Sequence, residues 1–226
     1  MLVIGLSGWA KSGKDMVSEY LCGKGFSRLA FADPLKEDVM KNCKLSHSDV
    51  YDQDFKEKPL LNRPLKPEDK FSEAIANILW NECRFEDGSR PKQPPHLVAN
   101  GFLAIHPQTF GLQSLYWTPR ALCILHGSLQ RSWNVNYWVD KALASVKFGQ
   151  KYVIADLRYK SEIKACIDNM GGHFVPVRVK RFETTLSVDP SERDLDDYPF
   201  QYQIKNTGTK EEAFVQMDEV LKEIKS

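Results

Sequence analysis

Three groups of residues in this chain have the types and spacing to handle phosphate. The first is Gly8-Trp-Ala-Lys-Ser-Gly13-Lys14-Asp15, which fits the pattern G-x-x-x-x-G-K-[ST] at every position but the last. In that pattern the backbone N–H groups of a glycine-rich turn point inward around a di- or triphosphate. The following helix aims its positive end at the same anion, and the lysine reaches the β and γ groups. Gly8, Lys11, Ser12, Gly13, Lys14, Asp15 and Met16 are therefore the expected contacts of an ATP phosphate chain. A Ser or Thr hydroxyl at the last position would ligate magnesium. Asp15 either takes that role through water or caps the helix away from the phosphates. A chance glycine turn is the bland explanation. The apolar run Leu2–Leu6 before the loop and the helical spacing of Met16 to Leu21 after it favour phosphate binding.

The second group is Tyr152-Val-Ile-Ala-Asp156-Leu-Arg158. An apolar strand ending in Asp can hold magnesium, directly or through water, at the carboxyl end of a parallel sheet. Such an Asp is also a common helix cap. Arg158 would lie beside the phosphates, where a forked guanidinium binds transferring oxygens; a surface arginine at a helix start is the competing reading.

The third group is the scattered cations Lys36, Arg120, Arg131, Arg178 and Arg181. Transfer between two anionic substrates needs several such charges, although each alone reads as a solvated side chain. Arg120 stands out, because Trp117-Thr-Pro-Arg places it in the first turn of a helix, where a positive charge calls for an anion partner.

The elements that must position these groups alternate. Strands are expected at Leu2–Leu6, Phe26–Phe31, Lys151–Ala155, His173–Val179 and Gln201–Lys205. Helices are expected after the loop, from Asp33-Pro34 through Cys43 with Asp33 as cap, at 70–82, Arg120–Gln130, Asn134–Lys147, Ser161–Met170 and Lys210–Ile224. Residues 46–69 read as a loop, and 84–118 hold too many Pro and Gly for regular structure. Strands separated by helices imply an α/β fold: a parallel sheet covered by helices on both faces. The expected organisation is a single domain over 1–226, with an acceptor-side helical and loop insertion at 46–118 and a charged lid at 180–200.

Composition narrows the partners. Lys plus Arg number 31 against 30 acidic residues, so no basic field advertises long nucleic acid. No apolar stretch approaches the ~18 residues of a membrane span, and Leu2–Leu6 is too short for a signal peptide. Five cysteines, odd in number and never spaced C-x-x-C, suit a reduced cytoplasmic protein. Cys83, His96 and His106 fit no common zinc spacing. Trp117, Trp133, Tyr137 and Trp138 read mainly as core, with one available to stack on a base. A homodimer is compatible with the chain.

These residues, taken in order, carry a resemblance. Ser7 to Asp15, Phe31-Ala-Asp33-Pro-Leu-Lys36, the helix from Pro119-Arg120 to Gly127, Tyr137-Trp-Val139, Asp156-Leu-Arg158 with Glu162, Ser191-Glu192, and Lys205-Asn206-Thr-Gly208 resemble the deoxynucleoside monophosphate kinases of tailed phages over nearly the whole chain. That family shares the Lys-Asp loop ending. The resemblance implies a P-loop nucleoside-monophosphate-kinase-like fold and transfer of the ATP γ-phosphoryl group, with Mg2+, to a deoxynucleoside 5′-monophosphate, in the host cytoplasm if the gene is a phage's. Lys14, Arg120, Asp156 and Arg158 would be catalytic, Asp15 and Asp156 would hold the metal through water, and either Arg178 or Arg181 would serve the lid. Asn206 and Gly208 would line the adenine, and Asp33, Lys36, Arg120, Arg131, Trp138 and Arg158 would face the acceptor. One departure is Ile124, where the family often has Gln. Phosphomevalonate kinases share the Ser-Gly-Lys-Asp loop, a Pro-Leu-Lys segment and an Asp-x-Arg strand end, but lack a counterpart to the Arg120 helix followed by Tyr137-Trp138. The same loop would also suit a P-loop ATPase or a catalytically inactive nucleotide-binding module.

Overall fold

A computed structural model describes residues 1–64, 70–72, 81–90, 97–98, 102–104, 115–181 and 193–224, with the backbone alone at 70–72, 97–98 and 102–104. They form two compact units, 1–34 with 134–226, and 35–133.

The first unit is a five-stranded, all-parallel sheet. Its strands are β1 (Leu2–Ser7), β2 (Ser27–Leu29), β8 (Lys151–Leu157), β9 (Phe174–Lys180) and β10 (Tyr202–Lys205), in the order β10-β9-β1-β8-β2. β1 lies at the centre: Val3 is in register with Tyr152 on one side and with Phe174 on the other. The expected strands are all present, with ends that differ by at most two residues. Near-continuous apolar runs such as Val153-Ile154-Ala155 form buried strands because both faces of the sheet are covered.

Alternate side chains of each strand feed two cores. On one face Val3, Tyr152, Ile154 and Phe174 pack with Val139 and Ala142 of α5 (Tyr137–Leu143) and with Ile163, Cys166 and Met170 of α6 (Lys160–Met170). On the other, Ile4, Leu6, Val153, Val177 and Ile204 pack with Val17 and Leu21 of α1 (Lys14–Gly23) and with Ala213, Met217 and Leu221 of α7 (Lys210–Glu223). Each such fully buried aliphatic contributes about 1.5–3 kcal/mol. The Tyr20 ring of α1 stacks on Phe214 of α7 at 4.1 Å, and Thr209 caps α7 by accepting from the Glu212 N–H.

The second unit carries most of α2 (Ala32–Cys43), together with α3 (His47–Tyr51) and α4 (Pro119–Trp133). Three expectations from the sequence are corrected by this unit. The 46–69 stretch contains a helix, α3, opened by a reciprocal cap: Ser46 Oγ accepts from the Asp49 N–H and the Asp49 carboxylate accepts from the Ser46 N–H. The helix expected at 70–82 does not begin at its start, because Lys70–Ser72 is strand β3; 73–80 lie outside the described residues. The 84–118 stretch does hold regular structure. β4 (Arg84–Phe85) pairs antiparallel with β7 (Leu115–Tyr116), and β6 (Phe102–Ala104) lies between β3 and β5 (Leu97–Val98). Strands of two or three residues are too short for periodicity to show. His96 and His106 lie outside the described residues.

Burial separates the cysteines. It pushes the thiols of Cys83 and Cys166 up to about 12 and that of Cys123 up to about 11. Because the thiolate is the nucleophile, iodoacetamide at pH 8 is expected to modify Cys22 and Cys43 first, half-buried Cys123 more slowly, and buried Cys83 and Cys166 only on unfolding. Peptide mass spectrometry after a timed quench checks this; early labelling of Cys166 would contradict the packing described.

Candidate phosphate-binding site

β1 leaves the middle of the sheet at Ser7 and the chain turns through Gly8–Gly13 into α1. A parallel sheet offers a binding crevice where neighbouring strands connect in opposite directions. β1 is such a strand, with its chain successor β2 beyond β8 on one side and β9 on the other. The loop is held by the Ser12 N–H donating to Trp9 O at 3.1 Å and by Lys14 Nζ donating to Gly8 O at 2.5 Å and Trp9 O at 2.9 Å. Lys11 has φ of 61°, a left-handed conformation uncommon for a residue with a Cβ and a mark of constrained functional turns.

Two glycines leave room for no side chain. A Cβ on Gly8 would collide with Val179 O and Ser12 Oγ. Gly13 has φ of 98°, and a Cβ there would collide with Asn206 Nδ2, which donates to Ser12 O at 2.9 Å. Asn206 is thus a brace beneath the loop, with its amide committed to the backbone. Ser12 is 1% exposed, and its hydroxyl has no partner among the described residues. Gly13→Ala is expected to abolish measurable ATP binding, because it strains the backbone and breaks the Asn206 brace together. Isothermal titration beside a circular-dichroism melt checks it; unchanged affinity would mean that the loop is not a phosphate cradle.

The remaining expected residues are distributed as follows. Asp156 ends the sequence Val153-Ile154-Ala155, and its two oxygens accept the N–H groups of Phe31 (2.8 Å) and Ala32 (2.9 Å). Burial raises its carboxyl above the ordinary carboxylate range, while those two amides and then Arg158 pull the other way. Asp156 is therefore the group that satisfies the first amides of α2. Asp33, read from sequence as that cap, instead pairs with Arg28 at 3.1 Å. Asp15 is exposed in the first turn of α1, and Met16 is half-buried beside it. Among the described residues no three His, Cys, Asp or Glu side chains cluster as a metal site.

Arg158 is exposed just beyond β8, where its N–H donates to the buried Glu162 carboxylate at 2.7 Å. The two arginines of the β9 region differ sharply. Arg178 is 5% exposed and donates to Ser7 Oγ at 3.0 Å and Asp196 Oδ1 at 2.5 Å. Arg181 is exposed, one residue past the strand. The 180–200 stretch is built in at both ends, since Lys180 closes β9 and Leu195 is 1% exposed in the core; 182–192, with Ser191 and Glu192, lie outside the described residues. Trp138 is 3% exposed and meets Tyr137 edge-on, which favours the core reading over base stacking. Gly208 is a tight position, where a Cβ would meet the Glu212 carboxylate.

In the second unit, Thr118 caps α4 by accepting from the Ala121 N–H, and Pro119 opens the helix. Arg120 has its anion partners within the protein: Glu82 at 3.0 Å and Glu57 at 3.9 Å. Glu57 also pairs with Arg84 and Arg90. Lys56, whose carbonyl accepts the Arg120 N–H, has its ammonium shifted below the usual lysine range by burial and then by the Arg120 charge. Lys36 lies over the Tyr51 ring at 4.2 Å. Among the described residues, these five cations face the two carboxylates of Glu57 and Glu82. Arg131 folds back near Gly127, where Leu35 packs closely.

Sequence reasoning missed Glu57, Glu82 and Asp196, since a carboxylate that bonds to groups 18 and 187 residues away, as Asp196 does, leaves no local pattern. No helix among the described residues is long and apolar enough to cross a membrane. No protein-family model and no curated protein sequence matches this chain.

Proposed function

We propose that the chain is a deoxynucleoside monophosphate kinase with a P-loop nucleoside-monophosphate-kinase-like fold, transferring the ATP γ-phosphoryl group to a dNMP. The observation that carries the reading is the Gly8–Lys14 loop. It leaves the central strand of a parallel sheet, has two glycines that admit no Cβ, and holds a buried hydroxyl, that of Ser12, with no partner among the described residues. An anion with many oxygens fits such a cradle.

The roles follow from charge and position. Backbone N–H groups of 8–13 take the β-phosphate region, and Lys14 leaves Gly8 O and Trp9 O to bridge β and γ. Arg158 neutralises charge on the transferring group, and Lys36 and Arg120 bind the acceptor phosphate. No general base is needed, because the acceptor is already an anion; positioning and neutralisation supply the rate. A magnesium ion would spread the phosphate charge, held through water by Asp15 and Asp156. Asp156 keeps lone pairs for such a water beyond the two amides it accepts. Arg181, exposed just past β9, would add positive charge over the phosphates and help to exclude water, limiting ATP hydrolysis.

ADP release measured with ATP and a panel of all common dNMPs and NMPs, plus mevalonate 5-phosphate, tests the proposal. Turnover with at least one dNMP is expected. Turnover only with mevalonate 5-phosphate would move the assignment to a phosphomevalonate-kinase-like enzyme, acceptor-independent turnover to an ATPase, and none to a binding module.

A further inference from the structure

One carboxylate reaches the glycine loop from far along the chain. Asp196 Oδ1 accepts the indole N–H of Trp9 at 2.8 Å and the Arg178 guanidinium at 2.5 Å. Arg178 donates in turn to Ser7 Oγ, the last residue before the loop, and lies over the Phe200 ring at 5.8 Å. The segment that carries Asp196 is itself immobilised. Asp194 accepts the Lys160 N–H at 2.7 Å, Asp197 pairs with the Lys160 ammonium at 2.7 Å, and Leu195 and Phe200 are buried in the core.

Trp9 is the residue on which the first half of the loop turns. Its carbonyl accepts from both the Ser12 N–H and Lys14 Nζ, while its side chain is bound to Asp196. A hydrogen bond to an ionised acceptor is stronger than one between neutral groups, and an arginine as buried as Arg178 holds its carboxylate in place. A loop already fixed in its binding geometry loses less conformational freedom when a ligand arrives.

We infer that Asp196 is a positioning residue of the phosphate loop, acting through Trp9 and Arg178 to hold residues 8–14 in the shape that receives a triphosphate. The ligand part of this inference rests on the function proposed above; the ordering of the loop does not.

Two variants test it. Trp9→Phe removes the indole donor and leaves the Arg178–Asp196 pair intact, and Asp196→Asn weakens both bonds while keeping an acceptor oxygen. Native-state hydrogen exchange of the ligand-free protein is expected to show amides of 9–14 exchanging about tenfold faster in each variant, with amides of α7 unchanged. ATP titration is expected to show about tenfold weaker binding in each. The double variant should lose less than the product of the two single effects, since both act through one contact. Unchanged loop exchange in Trp9→Phe, or multiplicative effects in the double variant, would overturn the inference. Should the wild-type protein fail to bind ATP, the functional proposal falls, and hydrogen exchange still decides the positioning role.

Discussion

Lys14→Ala is expected to lower phosphoryl transfer by about 10²- to 10³-fold while leaving the melting temperature within a few degrees of wild type. A preorganised charge aimed at the transferring group typically contributes about 3–4 kcal/mol to the transition state. The ammonium is half-buried and donates to the loop carbonyls Gly8 O and Trp9 O, outside the two apolar cores that hold the sheet. Removing it leaves Gly8 O and Trp9 O to hydrate, a far smaller loss than a core cavity. Steady-state kinetics beside calorimetry separate the two effects. Near-normal transfer in the variant would remove the phosphate-loop assignment, and a collapse in melting temperature would show a structural role instead.

Arg120→Ala is expected to lower kcat/KM for the acceptor by about 10²-fold or more, chiefly through a raised KM for the monophosphate, with ATP affinity nearly unchanged. Arg120→Lys should recover little of this, since a point charge cannot reproduce a bidentate fork. The ion pairs add a discriminating arm. Glu82 holds the guanidinium at 3.0 Å, so an incoming phosphate must compete with it. Glu82→Gln should therefore lower the acceptor KM, whereas a purely structural pair would lose stability and gain no affinity. Glu57 is exposed enough to be left unpaired, but Glu82 Oε2 is buried, so Arg120→Ala is also expected to lose some stability, which a melt read beside the kinetics separates from the loss of acceptor binding. Weakened ATP binding with acceptor affinity intact would move Arg120 to the donor side.

Much of the first unit was legible because its signals are local. Val153-Ile154-Ala155 reads as a buried strand from apolar content alone, Gly171 marks the end of α6, and the glycine spacing of 8–13 matches the turn it makes. The helix starting near Asp33 was legible, but its cap was not. The amides of α2 are satisfied by Asp156, 124 and 125 residues away. The same limit applies to Arg120, whose need for an anion followed from its place in a helix, whereas the identity of that anion, Glu82, is a product of tertiary structure. α3 was legible in principle: Ser46-x-x-Asp49 is a capping signature, outweighed by the three prolines that follow between 59 and 67. The short strands between 84 and 116 offered nothing to read, since two-residue pairings have no period.

The central place of β1 has a consequence for how the chain acquires its structure. β1 is hydrogen-bonded on one side to β8, starting at Lys151, and on the other to β9, starting at Phe174. During synthesis Val3, Ile4 and Leu6 emerge ahead of the other strands of their sheet and remain unpaired until about 150 further residues have been made. Joining strands so far apart forfeits about 4 kcal/mol of chain entropy from the length-dependent part of loop closure alone. Residues 35–133 can meanwhile collapse on their own local contacts. The ribosome thus presents a ready second unit and an unfinished first one, and its glycine turn acquires a shape only as the last strands arrive. A nascent chain halted before β8 would expose an apolar strand edge, a natural target for chaperones and an aggregation risk where none is at hand.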